Sequence, residues 1–216
     1  LVQYVSRGQA DDHVWWLWLD ADEFPRPTAD GTIRQYLATL DDSIRVVGAR
    51  FLNHYPTPGQ VAFVPGRHPA AAQPLVEEAQ LNICALGHRK HPLQRWDRNG
   101  PPLRSGLGFH RAESDVRPLI EPREPILIHH VPFREEAVTR NRLRRLWSDS
   151  AGSASRAVLG DIATDHMEAR WASMDAVYSG DWGNVQNFLP NRPKYGVHLT
   201  DWRNLRPAVS TRLPTW

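Results

Sequence analysis

The chain has 216 residues, of which 41% are apolar and 23% charged, with a net charge of +2 and a pI near 8.9. That composition is ordinary for a soluble globular protein able to bury a sizeable core, and so small a net charge speaks against nucleic-acid binding as the main role. No apolar stretch approaches the ~20 residues that span a bilayer, there is no basic-then-apolar leader, and the single Cys84 excludes an internal disulfide. The expectation is a soluble, cytoplasmic chain without a transmembrane segment, for which peripheral contact with a membrane surface stays open.

Residues 1–13 are polar and suit a loop or the end of a helix. Residues 14–19 (VWWLWL) then form the first predicted strand, and its lack of polar alternation predicts cover on both faces. Asp20, Asp22 and Glu23 follow at its carboxyl end. Carboxylates packed so closely repel one another unless a cation is shared between them or they face water.

After Pro25 and Pro27, Asp30-Gly31-Thr32 opens a helix whose apolar residues Ile33, Tyr36, Leu37 and Leu40 recur at helical spacing. Residues 44–53 read as a second strand. From Tyr55 to Gln80, Pro, Gly, Ala and His dominate, which predicts a long irregular excursion. A short strand is expected at 81–86, then short strands and turns around a site at 87–113.

Residues 125–131 (PILIHHV) suit a strand, 134–147 a helix, and 153–178 a longer helix with Met167, Trp171, Met174 and Tyr178 on one stripe. The remainder, 179–216, reads as an irregular tail. Neither an internal repeat nor a low-complexity segment is visible.

Asp-x-Asp at the carboxyl end of a strand places two carboxylates where open α/β sheets bind ligands. There they can hold Mg²⁺ or Mn²⁺, which bridges the oxygens of a nucleotide diphosphate. The competing structural reading is a solvated acidic turn that caps the next helix. A neutral imidazole can complete such a metal site. His110 in its glycine-flanked segment is the favoured ligand, with His130 nearby. Adjacent strand residues point to opposite faces, so only one of His129 and His130 can face a site. His54, His68, His88 and His91 are read as structural.

Departure of a diphosphate calls for positive charge, and Arg95, Arg134 and Arg140 are the candidates. An arginine-rich solvated face paired with Glu135 and Glu136 is the alternative. Arg134, Arg140, Arg142, Arg144 and Arg145 crowd into one short segment, which suits a local phosphate better than a long polyanion. The nine tryptophans exceed what packing needs, and indole faces are platforms for sugars and cations.

The elements LWLDADEFP, GLGFHR and ILIHHVPFREEAVTRNRL, in that order, resemble the family-2-like glycosyltransferases of the GT-A fold. In that family a DxDEF-type motif is followed by a Gly-x-His segment and then by a strand ending in His with a helix after it. The likeness covers residues 10 to 147, and Val131 stands where many members have Tyr.

The resemblance implies an α/β fold of GT-A type, a mixed sheet flanked by helices, with a catalytic domain over 1–150 and a helical and irregular extension over 151–216. Members begin with a strand and loop that grip the nucleotide base, so an amino-terminal portion is expected beyond this chain. The implied activity is transfer of a sugar, with inversion, from a nucleotide-sugar donor to a hydroxyl of a sugar, glycan or glycolipid, aided by Mn²⁺ or Mg²⁺. Asp20 would face the ribose or the metal's water shell, and Asp22 would bind the metal. Glu77 lies where relatives carry a Glu-Arg-Phe-like element and is one candidate base; Glu113 is the other. A non-catalytic carbohydrate-binding or scaffold domain, and a metal-dependent hydrolase, are the alternatives.

Overall fold

In the computed structural model, which describes residues 13–59, 66–77, 90–105, 109, 112–116, 118–152, 171–186 and 196–204, the tryptophan run forms strand β1, His13–Leu17. Backbone contacts divide the α/β chain into two units. The first takes residues 1–51, 88–128 and 208–210; the second takes 52–87, 129–207 and 211–216. Neither unit is a continuous segment, because strands β3 (Val46–Tyr55) and β8 (Ile126–His130) each run from one into the other.

In the first unit β1 pairs antiparallel with β5, Lys90–Asp97, from His13 opposite Asp97 to Leu17 opposite Leu93. The first half of β3 pairs with the other edge of β5, and the register shifts between Val47 and Ala49, at Gly48. A Cβ on Gly48 would stand 2.8 Å from a Glu121 carboxylate oxygen, so close approach explains the glycine. Strand β2, Glu23–Arg26, pairs with β8, and β6 (Leu103–Ser105) with β7 (Ala112–Ser114) forms a separate two-stranded ribbon.

The two-faced cover expected for the tryptophan strand is not found: no residue of β1 is buried. Among the described residues it lies at the end of the sheet order, with β5 as its partner. Alternation then divides its indoles. Trp15 packs against the core of Ile44, Val47, Ala49, Leu93, Ile126 and Ile128, while Trp16 takes the opposite face.

Helix α1, Ile33–Leu37, starts where its capping residues dictate. Thr32 Oγ1 accepts from the Gln35 amide at 3.2 Å, and Gln35 Oε1 accepts from the Thr32 amide at 2.8 Å, a reciprocal capping box. Ile33, Tyr36, Leu37 and Leu40 pack on the core, as their spacing requires.

In the second unit the end of β3 pairs with β4, Leu75–Glu77, and β4 pairs with β9, Leu199–Asp201. The excursion expected to be irregular thus contains β4 and a single-turn helix α2, Pro69–Ala72, and the expected tail contributes β9. Elements of three or four residues are too short to show a period. Helix α3 spans Glu136–Gly152, and residues 171–179 are helical (α4). Of the expected stripe, Met174 is buried and Tyr178 packs against the core beside Val177, but Trp171 is 42% exposed, and Met167 lies outside the described residues. The core here is Tyr55, Phe133, Val177, Val185 and Val197. The strand expected at 81–86 and most of the helix expected over 153–178 lie outside the described residues.

Candidate functional site

The segment Asp20-Ala21-Asp22-Glu23 is a tight turn between β1 and β2. The Asp20 carbonyl accepts from the Glu23 amide at 3.1 Å, and the Asp20 amide donates back to Glu23 Oε2 at 3.0 Å. Asp is favoured at the first position of such a turn because its short polar side chain tolerates the geometry. Part of the acidic cluster is therefore explained locally.

The repulsion between the carboxylates is relieved by a side chain from a distant segment. Lys90 Nζ donates to Asp20 Oδ2 at 3.1 Å and to Glu23 Oε1 and Oε2 at 2.9 and 2.7 Å. An ammonium has three donors, and here they face three carboxylate oxygens. The Lys90 and Glu23 side chains are 2% and 4% exposed, against 69% for Asp20. Burial pushes the Glu23 carboxyl above its usual range, while the Lys90 ammonium and the Asp20 amide pull it back. Glu23 thus fixes the turn, and Asp20 presents its carboxylate to solvent.

Lys90 was not among the residues that the sequence pointed to. Its signal was rarity: it is one of two lysines in a chain whose other permanently cationic side chains are arginines. A compact point charge with rotatable donors fits a small buried space between carboxylates better than a planar guanidinium does.

The other predicted residues divide between the units. In the first, Asp22 is buried, 3% exposed, so the two aspartates of the motif have opposite environments. Arg95 is held by Asp97 at 2.9 Å and approaches Asp42 at 3.7 Å. Glu113 is exposed on β7 and lines a cleft of ≈ 360 Å³ with Asp115, Glu121 and His91. His91 Nε2 stands 3.2 Å from Glu121 Oε1.

In the second unit, Glu77 is 1% exposed within β4, opposite Leu199. Arg140 bridges Glu136 and Asp175, which hold its guanidinium charged. The Arg134 backbone is tied down: its amide donates to Thr139 Oγ1 at 2.8 Å, and its carbonyl accepts from the Tyr178 hydroxyl at 2.7 Å. His110 lies outside the described residues.

The adjacent histidines behave as alternation requires. His129 is fully buried, while His130 is half-buried and shares a 2.6 Å hydrogen bond with Asn53 Oδ1. His129 belongs to a buried group with His54, His68 and Trp202, its ring centroid 5.0, 5.8 and 4.9 Å from theirs. His54 Nδ1 faces the Gln73 carbonyl, which can only accept, so Nδ1 carries the proton. Nε2 then accepts from His129 Nδ1–H at 2.8 Å. Burial depresses the His54 pKa to about 4, so the ring is neutral at pH 7.

Among the described residues no group of three or more His, Cys, Asp or Glu side chains is placed to hold a metal ion, and no helix is long and apolar enough to cross a membrane. No family model, curated protein or solved structure matches the chain.

Proposed function

We propose that this chain is a glycosyltransferase of GT-A type that moves a sugar from a nucleotide-sugar donor to a hydroxyl acceptor. The observation that supports this best is the Asp20–Glu23 turn. An LDADEF element closes a tryptophan strand and is clamped through Glu23 and Lys90, leaving the Asp20 carboxylate outward.

In this reading Asp20 receives the polar end of the donor, and Lys90 holds it in one geometry before substrate arrives. A divalent ion, Mn²⁺ or Mg²⁺, neutralises the departing diphosphate when bound. Asp20 would hold it through the oxygen that Lys90 does not occupy, with water and substrate phosphate filling the shell. Of the two base candidates Glu113 is accessible and Glu77 is not, and a base must reach the proton it removes. Glu113 takes the acceptor hydroxyl's proton as that oxygen bonds to the anomeric carbon, whose bond to the diphosphate oxygen breaks.

Thermal melting tests the reading. Mn²⁺ with a nucleoside diphosphate should raise the midpoint of the wild type, and the gain should vanish in Asp20→Asn. Absence of any shift with uridine or guanosine diphosphate counts against it. Release of free sugar from a nucleotide sugar, with no acceptor product, favours the hydrolase instead.

A further inference from the structure

A second concavity of the first unit, ≈ 390 Å³, is bordered by Trp16, Trp18, Trp96 and Phe109. Its volume falls in the range of small-ligand sites, about 300–1,000 Å³. Pairing builds its wall: Trp16 stands opposite Gln94 and Val14 opposite Trp96, so Trp16 and Trp96 are diagonal neighbours on one face. Trp18 continues that face, its amide bonded to the Pro92 carbonyl at 2.8 Å. Trp16 stacks with Trp18 at 5.8 Å and 19°, and Trp18 with Phe109 at 4.6 Å and 8°. Phe109 adopts φ 59°, a left-handed conformation rare for a bulky side chain.

The polar groups beside these rings decide what would fit. Arg45, Arg95 and Arg104 all line the cleft, which taken alone suggests an anion. Their charges are compensated, however. Asp97 meets Arg45 Nε and Arg95 Nε, each at 2.9 Å, Asp42 lies 3.7 Å from Arg95, and Asp115 meets Arg104 at 2.7 Å. Each guanidinium thus has a carboxylate partner, with Asp97 shared between Arg45 and Arg95, which weakens the pull on a phosphate relative to free arginines. The Gln94 amide is also committed, donating to the His91 carbonyl at 3.1 Å and accepting from Ser105 Oγ at 2.8 Å. It is thereby tied away from the bidentate reading of a nucleobase edge.

We infer that this cleft binds a neutral oligosaccharide, whose apolar ring faces lie against the aromatic wall that Trp18 holds together through Trp16 and Phe109, and whose hydroxyls meet the carboxylate-paired guanidiniums. Sugar rings combine an apolar face with a rim of hydroxyls, and amphipathic aromatic walls with fixed donors match both. The inference rests on the cleft alone and holds for a transferase or for a non-catalytic carbohydrate-binding domain.

The test is calorimetric titration of the full chain with neutral hexasaccharides (cellohexaose, maltohexaose, chitohexaose), a heparin-derived hexasaccharide, and uridine and guanosine monophosphates. At least one neutral hexasaccharide should bind, and raising salt from roughly 0.05 to 0.5 M should leave its affinity unchanged. Trp18→Ala should weaken it by about tenfold or more. If that variant fails to fold, Trp18→Phe and the surface change Arg104→Gln carry the test, each with a smaller loss. Binding of none of the neutral sugars, or salt-sensitive binding confined to the heparin fragment or the nucleotides, overturns the proposal. Melting with Mn²⁺ and a nucleoside diphosphate is a separate readout, so failure here leaves the transferase reading standing, and the reverse also holds.

Discussion

Replacing Lys90 by Met removes the ammonium from between Asp20 and Glu23 while keeping most of the buried volume. The contact with Asp20 carries little of the effect, because a side chain 69% exposed is solvated and screened, and such pairs are worth under about 1 kcal/mol. Glu23 is different: its carboxylate is 4% exposed and takes two contacts from Lys90, at 2.9 and 2.7 Å. Removing one partner of a buried pair strands the other charge, at about 3–5 kcal/mol. Protonation of Glu23 limits that loss, since neutralising the group costs only about 1.4 kcal/mol per unit by which pH exceeds its pKa.

The sign of the pH dependence follows. A carboxyl raised above its ordinary 4.5 holds its proton longer in the folded state, so stability falls as pH rises from 4.5 through the folded pKa. Without Lys90 that window extends upward. Urea denaturation of Lys90→Met should therefore show a deficit of up to about 3 kcal/mol at pH 7 that shrinks towards pH 5. Lys90→Met with Glu23→Gln should recover most of it. A deficit under about 1 kcal/mol at pH 7, or a double variant no more stable than the single one, would refute the role given to the pair.

Several other changes can be measured directly. The His54 ring, neutral in the fold with its pKa lowered from 6.5 to about 4, contributes stability that is complete above pH 6.5 and lost as pH falls towards 4. The loss amounts to about 3 kcal/mol in the unfolding free energy from urea denaturation, and ring-proton NMR should show no titration of His54 above pH 5. Thr32→Ala removes the acceptor at the start of α1 and should cost about 1 kcal/mol, with Ser restoring most of it. Gly31→Ala should cost more than about 1 kcal/mol, because φ is 123° and the new Cβ would stand 2.9 Å from Gln35 Oε1. Tyr36 and Tyr178 are held protonated by burial up to about 12, so ultraviolet titration should lose one late-ionising tyrosine in Tyr36→Phe and another in Tyr178→Phe.

What was legible in the sequence was local. Helix α1 could be read because its cap, its acceptor partner and its apolar spacing all lie within a few residues. Strand β8 could be read from a continuous apolar run, and the opposite fates of His129 and His130 from alternation alone. Strands β4 and β9 could not, since three residues show no period and each becomes a strand only when its partner supplies the hydrogen bonds. The arginines of α3 also read correctly in one respect: Arg140 pairs with Glu136 one turn earlier, a partner fixed by helical spacing, but its second partner, Asp175, is remote in sequence.

By itself the order of residues determined that three carboxylates would leave a tryptophan strand together, to be kept there by a cation or by water. Only the tertiary structure decided which cation the chain itself supplies. The Lys90 ammonium reaches Asp20 and Glu23 across a separation of about seventy residues, because β5 pairs with β1 along its length. Nothing in the composition of either segment encodes that meeting; it follows from strand register, which the first unit's core fixes by burying one face of β5 and β3.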